Sequence, residues 1–453
     1  MPDKQSWLES QIRDYPLLDA LVWRRSRRFA KGFTLNGQPL GYVSNKQPEP
    51  LTDEEEAALA FAACGFTGYA LGELPFNVGD RIETGGGNIL SQFFGRSAPS
   101  GDAIHAAHVF MINDSGTYLL KRPLDFTRDE YHAMANAARK GQYMDFYAKA
   151  RVKISDRRVD LPLRAPPYVP GFNQWSANLP GTTYFVPVHE MTALMINVLL
   201  TIFDEHFNYF IVDETASFQP AGIRQYGRSN GGTLIDDPKL LRTLPIGTAE
   251  SWLYEFAAVE QGAILQNLGL MTQAMGLGGF AHFAHHPWAW PEALGFRTTR
   301  VRFSKTAGMR WPIALLARLM RRDFDLTVPL GLDGCGGDFF RPFCPPYYRD
   351  MEEAVLAYVQ LKFGNRGTLT DVGGQSAFKD PAAVSSAMPR PSPAAISATI
   401  DCCDYIYRRF GRIPATNGPA RTVLAYQAHH LDRDFYDRFY VDALSSTQLA
   451  HKH

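Results

Sequence analysis

The residues best suited to chemistry begin with a cationic turn, Arg24-Arg25-Ser26-Arg27-Arg28. Guanidinium groups offer planar paired donors that match phosphate oxygens, and Ser26 adds a hydroxyl. Seen alone, the same turn also reads as a solvated basic face. A second segment, Ala98-Pro99-Ser100-Gly101, runs into Asp102-Ala103-Ile104-His105. Its rigid and permissive positions can turn backbone N–H groups toward an anion or a ring, or can form an ordinary turn. A third lies between Gly262 and Gly279. Ile264, Leu265, Leu268, Met271 and Met275 fall on one helical face, and Gly276, Gly278 and Gly279 then stop the helix and permit close backbone approach.

Other candidates have less local support. His282 and His286 are spaced i, i+4 beside Trp288 and Trp290, but Pro287 opposes a helix there and no carboxylate is near, so no metal is expected. His429-His430 reads as a packed or surface pair more readily than as a catalytic one. Cys344 in Cys344-Pro345-Pro346 has no local base to activate it. Tyr184 and His189 are candidate proton donors. Gly85-Gly86-Gly87 lacks the Lys and Ser/Thr of a phosphate loop. No residue is assigned a catalytic role.

Positioning these residues requires elements that the sequence partly announces. Thr52 before Asp53-Glu54-Glu55-Glu56 and an Ala-rich run to Cys64 predicts a capped helix. Asn113-Asp114-Ser115-Gly116 between two apolar runs predicts a hairpin. Helices are expected at 6–30 before the basic turn, 126–150, 190–203, 250–275, 311–320, 352–363, 394–410 and 420–431, with a strand at 210–213. Pro381 to Pro393 reads as a linker.

A chain of 453 residues predicts two domains or one with large additions. Lys+Arg 46 against Asp+Glu 46 leaves no overall field to draw nucleic acid or an anionic membrane. Cys64, Cys335, Cys344, Cys402 and Cys403 show no CxxC spacing, which suits free thiols in a reducing compartment. Met1 to Gln5 has no apolar leader, and the apolar run Met191 to Phe203 is too short to span a bilayer. A cytoplasmic chain with neither membrane nor nucleic-acid partner is expected.

In order and spacing, the three segments resemble the flavin-binding segments of the nitroreductase superfamily, nearest to its azoline-dehydrogenase branch in thiazole/oxazole peptide biosynthesis. Arg24 to Arg28 matches that branch's Arg-Arg-Ser-x-Arg opening, and Pro50 to Glu55 its second helix. Ala98 to Gly101 with Ile104-His105 matches its Pro-Ser-Gly-Gly-Asn-Leu-His loop. Gln266 to Gly278, then Glu292 to Gly295, matches its late helix and glycine turn. The resemblance covers about residues 20–125 and 250–300.

It implies an α+β fold, a nitroreductase-like mixed sheet wrapped by helices. Residues 1–345 would form the FMN-binding domain, with a large insertion at about 125–250, and 346–453 a mostly helical C-terminal extension. It also implies a homodimer with FMN at the subunit interface. Arg25, Ser26 and Arg28 would hold the phosphate and ribityl chain, Pro99, Ser100 and Gly101 would lie along the ring, and Gly276, Gly278 and Gly279 would lie on its other side. The implied activity is FMN-dependent hydride transfer between NAD(P)H or a substrate C–H and a small organic acceptor, with a small molecule or peptide as substrate. Ala103 stands where the family's loop has Asn, Asp102 replaces a glycine, and His282-Phe283 replaces an Ile-Gly pair. No Lys-Tyr pair of the azoline branch occurs. Dehydrogenation of a peptide or natural-product ring, and a degenerate flavin fold serving as a binding or scaffold protein, remain alternative readings.

Overall fold

The computed structural model describes residues 7–71, 89–161, 169–283, 289–334, 337–369 and 377–451. Gly85-Gly86-Gly87, His285, His286, Trp288 and Cys335 lie outside them.

The frame is an antiparallel sheet. Its strands run in the order Gly278–Phe283, Leu424–His429, Thr182–Glu190, Ala107–Asn113, Gly116–Leu120 and Arg151–Ser155, and Ala420–Arg421 also pairs with Thr182–Glu190. Alternation along each strand divides the sheet into two apolar faces. Val109, Met111, Leu120, Phe185 and Tyr426 point to the helices Asp53–Cys64 and Ile246–Met275. Phe110, Ile112, Tyr184, Val186 and Ala425 form a second core with Trp290, Phe296 and Phe340.

The hairpin forms as the turn residues require, with Asn113 paired to Gly116. The helix Asp53–Cys64 starts at a capping box: Thr52 Oγ1 accepts the Glu55 N–H, and the Glu55 carboxylate accepts the Thr52 N–H. The 30-residue helix Ile246–Met275 spans about 45 Å at 1.5 Å per residue. It ends where Gly276 turns left-handed at φ 80°. Its first half packs with Met191–Ile202, Met351–Phe363 and Pro393–Phe410 in a third core. Its second half lies under the sheet.

Several expectations change. Residues 420–431 form strands, not a helix. Their small and polar side chains alternate between two covered faces, so burial within the sheet overrides the helical propensity of alanine. The run 126–150 divides into Arg128–Arg139 and Tyr143–Ala150, because Gly141 takes φ 81° between them. The N-terminal helix likewise breaks at Pro16 into Trp7–Asp14 and Leu17–Trp23. The expected insertion supplies the strand Thr182–Glu190, and the expected C-terminal extension supplies Leu424–His429 beside it. Both strands are integral to the sheet, and a boundary near 345 does not separate a complete core from an appendage. Pro381–Ala387 within the expected linker is a helix.

Cys64, Cys344, Cys402 and Cys403 are buried and free. No described helix is long and apolar enough to cross a membrane.

Candidate functional site

The segment after Ser97 gathers three non-glycine residues of positive φ within four positions. Asp102, Ala103 and His105 all take positive φ, at 50°, 51° and 49°. For residues with a Cβ this conformation costs energy, and it persists only where the surroundings fix it. Here the fixing group is Glu260, a buried carboxylate from the long helix. Its oxygens accept the N–H groups of Ala106 at 3.1 Å and Ala107 at 3.2 Å, and Ser100 Oγ donates to it at 3.3 Å. Ser100 Oγ in turn accepts the His105 N–H at 3.1 Å. From the other side, Gln92 donates its backbone N–H to Ala103 O and its side-chain amide to Ile104 O.

Glu260 also meets His189, with Nε2 at 3.2 Å from Oε2. The proton on that ring can be placed by following the hydrogen bonds. Gln261 Oε1 accepts the N–H groups of Val423 and Leu424, so its Nε2 is the donor toward His189 Nδ1 at 3.0 Å. His189 therefore carries its proton on Nε2 and donates to Glu260. Burial pushes the Glu260 carboxyl up, but the His189 bond and the charges of Arg96 and His105 hold it down at about 2. The opposite balance applies to His105: burial outweighs the attraction of Glu260 and lowers it to about 4.

The arginine turn divides in two. Arg24, Arg25 and Ser26 are exposed, whereas Arg27 and Arg28 turn inward. Arg27 donates to Gln273 Oε1 at 3.0 Å and to Ala443 O at 2.8 Å. Arg28 Nη2 donates to Asn173 Oδ1 at 2.7 Å and to Ser176 Oγ at 2.8 Å. Its guanidinium lies over the rings of Trp175 and Phe280. Burial lowers the pKa of both arginines. Arg28 Nε is buried with no hydrogen-bond partner among the described residues.

The glycines pack against their own chain. Gly276 caps the long helix where a Cβ would meet Thr447 O at 2.6 Å. At Gly278 a Cβ would meet Leu431 at 2.4 Å and His429 Nε2 at 2.8 Å, and at Gly279 the Tyr426 hydroxyl at 2.5 Å. The reason is local: Arg27 bridges Gly279 as a short extra strand, so backbone crosses backbone there.

A groove of about 300 Å³ lies along the second half of the long helix. Ser97 and Asn267 line it at one end, Leu270, Met271 and Ala274 line its floor, and Leu17 and Ala20 line the helix that leads into Arg24. Pro99, Ser100 and Gly101 are partly or fully exposed. Within one chain the exposed Arg25-Ser26 turn and this loop lie near different stretches of the long helix. Arg24 lies against Gly269, whereas Ser100 lies against Glu260.

The remaining candidates among the described residues are buried. Tyr184 pairs with His282 Nε2 and lies at a tilt beside Trp290, and burial raises its pKa. His282 sits in a strand, not a helix. His429 faces Arg27 O at 3.1 Å and is pushed down by burial to about 3. Cys344 is pushed well up by burial. Sequence reasoning missed Glu260, Arg96, Asn173 and Ser176. Glu260 left a signal, since it shares the apolar stripe of Ile264 and Leu268 at i, i+4 and i+8. A carboxylate on a buried stripe demands partners.

No protein-family model matches the chain, and no curated protein is similar to it in sequence. Among solved structures it is similar to a putative nitroreductase from Ralstonia eutropha JMP134, at 15% identity and a TM-score of 0.28, over 66% of this chain and 80% of that one.

Proposed function

We propose that the chain is an FMN-dependent oxidoreductase of nitroreductase-like build that works as a homodimer. The observation that carries this reading is the strained, half-exposed Ser100–His105 loop. It is fixed by the buried Glu260, and an apolar groove runs from Ser97, just before the loop, to the helix Leu17–Trp23 that leads into Arg24. Backbone strain held in place by a buried charge marks a site whose shape matters.

The residues fit the group. Arg25 and Ser26 would hold its phosphate, and Arg28 offers the buried Nε that lacks an acceptor. Pro99, Ser100 and Gly101 would lie along its ring. Gly278 and Gly279 support this turn from behind, where Arg27 bridges Gly279, whereas Gly276 packs against Thr447. Bound FMN would supply hydride exchange at N5, with NAD(P)H as candidate donor and a small organic acceptor. Glu260 and His189 act beneath the loop. They orient Ser100 and the Ala106 and Ala107 amides, and do not face substrate.

A second copy would complete the pocket, since the two segments stand apart within one chain. Leu17, Leu18, Leu21 and Val22 are exposed beside the groove and give such a copy an apolar face. Ring dehydrogenation of the azoline type requires a base at the substrate. Tyr184 and His189 are wholly buried and already paired, so neither serves without rearrangement.

Denaturing the purified chain should release FMN and not FAD, and anaerobic NADH or NADPH should bleach the flavin. Bleaching by a thiazoline peptide alone would favour ring dehydrogenation. A colourless chain that refuses added FMN would favour the scaffold reading, which the packed Gly278 and Gly279 suit.

A further inference from the structure

Three side chains from distant parts of the sequence converge in the interior: Glu55, His430 and His451. Glu55 stands on the first turn of Asp53–Cys64, His430 directly follows the strand Leu424–His429, and His451 directly follows the helix Ser446–Ala450. All three are buried, and their candidate ligand atoms lie within 4.8 Å of one another. We propose that they form a metal site for a divalent first-row transition ion, Zn2+ foremost, that pins the C-terminal segment to the core.

His451 Nδ1 lies 2.8 Å from Met275 O. A carbonyl only accepts, so Nδ1 carries a proton. The other ring nitrogen, Nε2, faces Glu55 Oε1 at 3.1 Å. His430 Nε2 faces the other oxygen, Oε2, at 3.4 Å. Two imidazole nitrogens are thus turned on one buried carboxylate, and the three possible ligand atoms gather within 4.8 Å of one another. Zinc bound tetrahedrally at 2.0–2.1 Å sets its ligand atoms about 3.3 Å apart. The two N···O spacings of 3.1 and 3.4 Å are close to that value, and the whole set lies within 4.8 Å.

The set of two imidazoles and a carboxylate suits Zn2+ and its transition-metal neighbours, whereas Ca2+ and Mg2+ favour oxygen alone. The surroundings also resemble a ligand shell held from outside. The Met275 carbonyl orients His451, and Thr52 donates its N–H and hydroxyl to Glu55 Oε2. Burial assigns the ion a structural task. The helix Ser446–Ala450 lies across the end of the long helix, where Gln448 Nε2 donates to Gln273 Oε1, and the ion would fasten it there.

The test uses the full chain, stripped with a chelator, dialysed and titrated with Zn2+ by calorimetry. One equivalent should bind, Tm should rise, and Co2+ in its place should show visible d–d bands of a site with nitrogen ligands. Glu55→Gln, His430→Ala and His451→Ala should each weaken Zn2+ binding by roughly 100-fold. His206→Ala, at a partly exposed histidine elsewhere, should leave it unchanged. His451→Ala alters only the last described residue, so it tests the site even if the other two variants fail to fold. A folded, stripped chain that takes up no Zn2+ and shows no Co2+ bands overturns the proposal. So does uptake that His451→Ala leaves intact. In either case a proton, not a metal, joins these groups.

Discussion

Glu260 Oε2 and His189 Nε2 lie 3.2 Å apart in the interior, and the same carboxylate holds the Ala106 and Ala107 amides. One side chain of the long helix therefore fixes both a strained loop and a buried histidine.

Stability should report this carboxylate. Its pKa falls from an ordinary 4.5 to about 2 on folding. A depressed acid stabilises the fold above its unfolded value, and that contribution disappears as pH falls from 4.5 toward 2. The shift corresponds to about 3 kcal/mol. Urea unfolding at stepped pH should show the loss in wild type. Glu260→Gln should flatten this stretch of the curve and cost about 2–3 kcal/mol at pH 7, because an amide NH2 faces backbone donors. A variant with the wild-type acid slope would assign the titration elsewhere.

The arginine turn predicts a separation of roles. Arg28→Ala removes two charge-assisted bonds, to Asn173 and Ser176, and should lower stability by about 1.5–3 kcal/mol without any ligand present. Arg25→Ala, at an exposed position, should leave the urea midpoint unmoved and weaken FMN. Equal effects of the two on stability would contradict this division.

Two glycines should respond with opposite signs. At Gly262, on the exposed side of the long helix, an added Cβ meets nothing within 4 Å. Gly262→Ala should raise stability by about 0.5–1 kcal/mol. At Gly279 a Cβ would lie 2.5 Å from the Tyr426 hydroxyl and 2.8 Å from Gln427 O, so Gly279→Ala should destabilise by about 1–3 kcal/mol or more. Thermal melts of the pair would test the packing of this strand directly.

Assembly offers a fourth measurement. Leu17 and Leu18 are 68% and 69% exposed beside the groove. Leu17→Glu with Leu18→Glu should convert a dimer to a monomer in sedimentation, with little change in the circular dichroism of each chain. A double variant that still sediments as a dimer would place the interface on another face.

Where local signals governed, the sequence was readable. Thr52 before Asp53 to Glu56 named a capped helix start, and Asn113 to Gly116 named a hairpin, because each depends on residues close in sequence. The strand Leu424–His429 was not readable, since its conformation comes from two neighbouring strands remote in sequence. The candidate site divided in the same way. Arg24 to Arg28 and Pro99 to Gly101 stood out by type. The partners that position them, Asn173, Ser176 and Glu260, are ordinary in their own neighbourhoods. Arg27 and Arg28 also could not be told from Arg24 and Arg25, because inward and outward directions are set by Gln273 and Trp175.

The position of Leu424–His429 between Gly278–Phe283 and Thr182–Glu190 also bears on how the chain is made. During synthesis the two flanking strands leave the ribosome long before the strand that must lie between them. Each then carries a row of unpaired amides and carbonyls, a ready template for the wrong partner. The sheet cannot close until Leu424 and its successors arrive, and its completion joins contacts far apart in sequence, which folds slowly. Nascent chains halted before Leu424 should therefore be captured by chaperones or aggregate, while chains extended past His429 should resist protease.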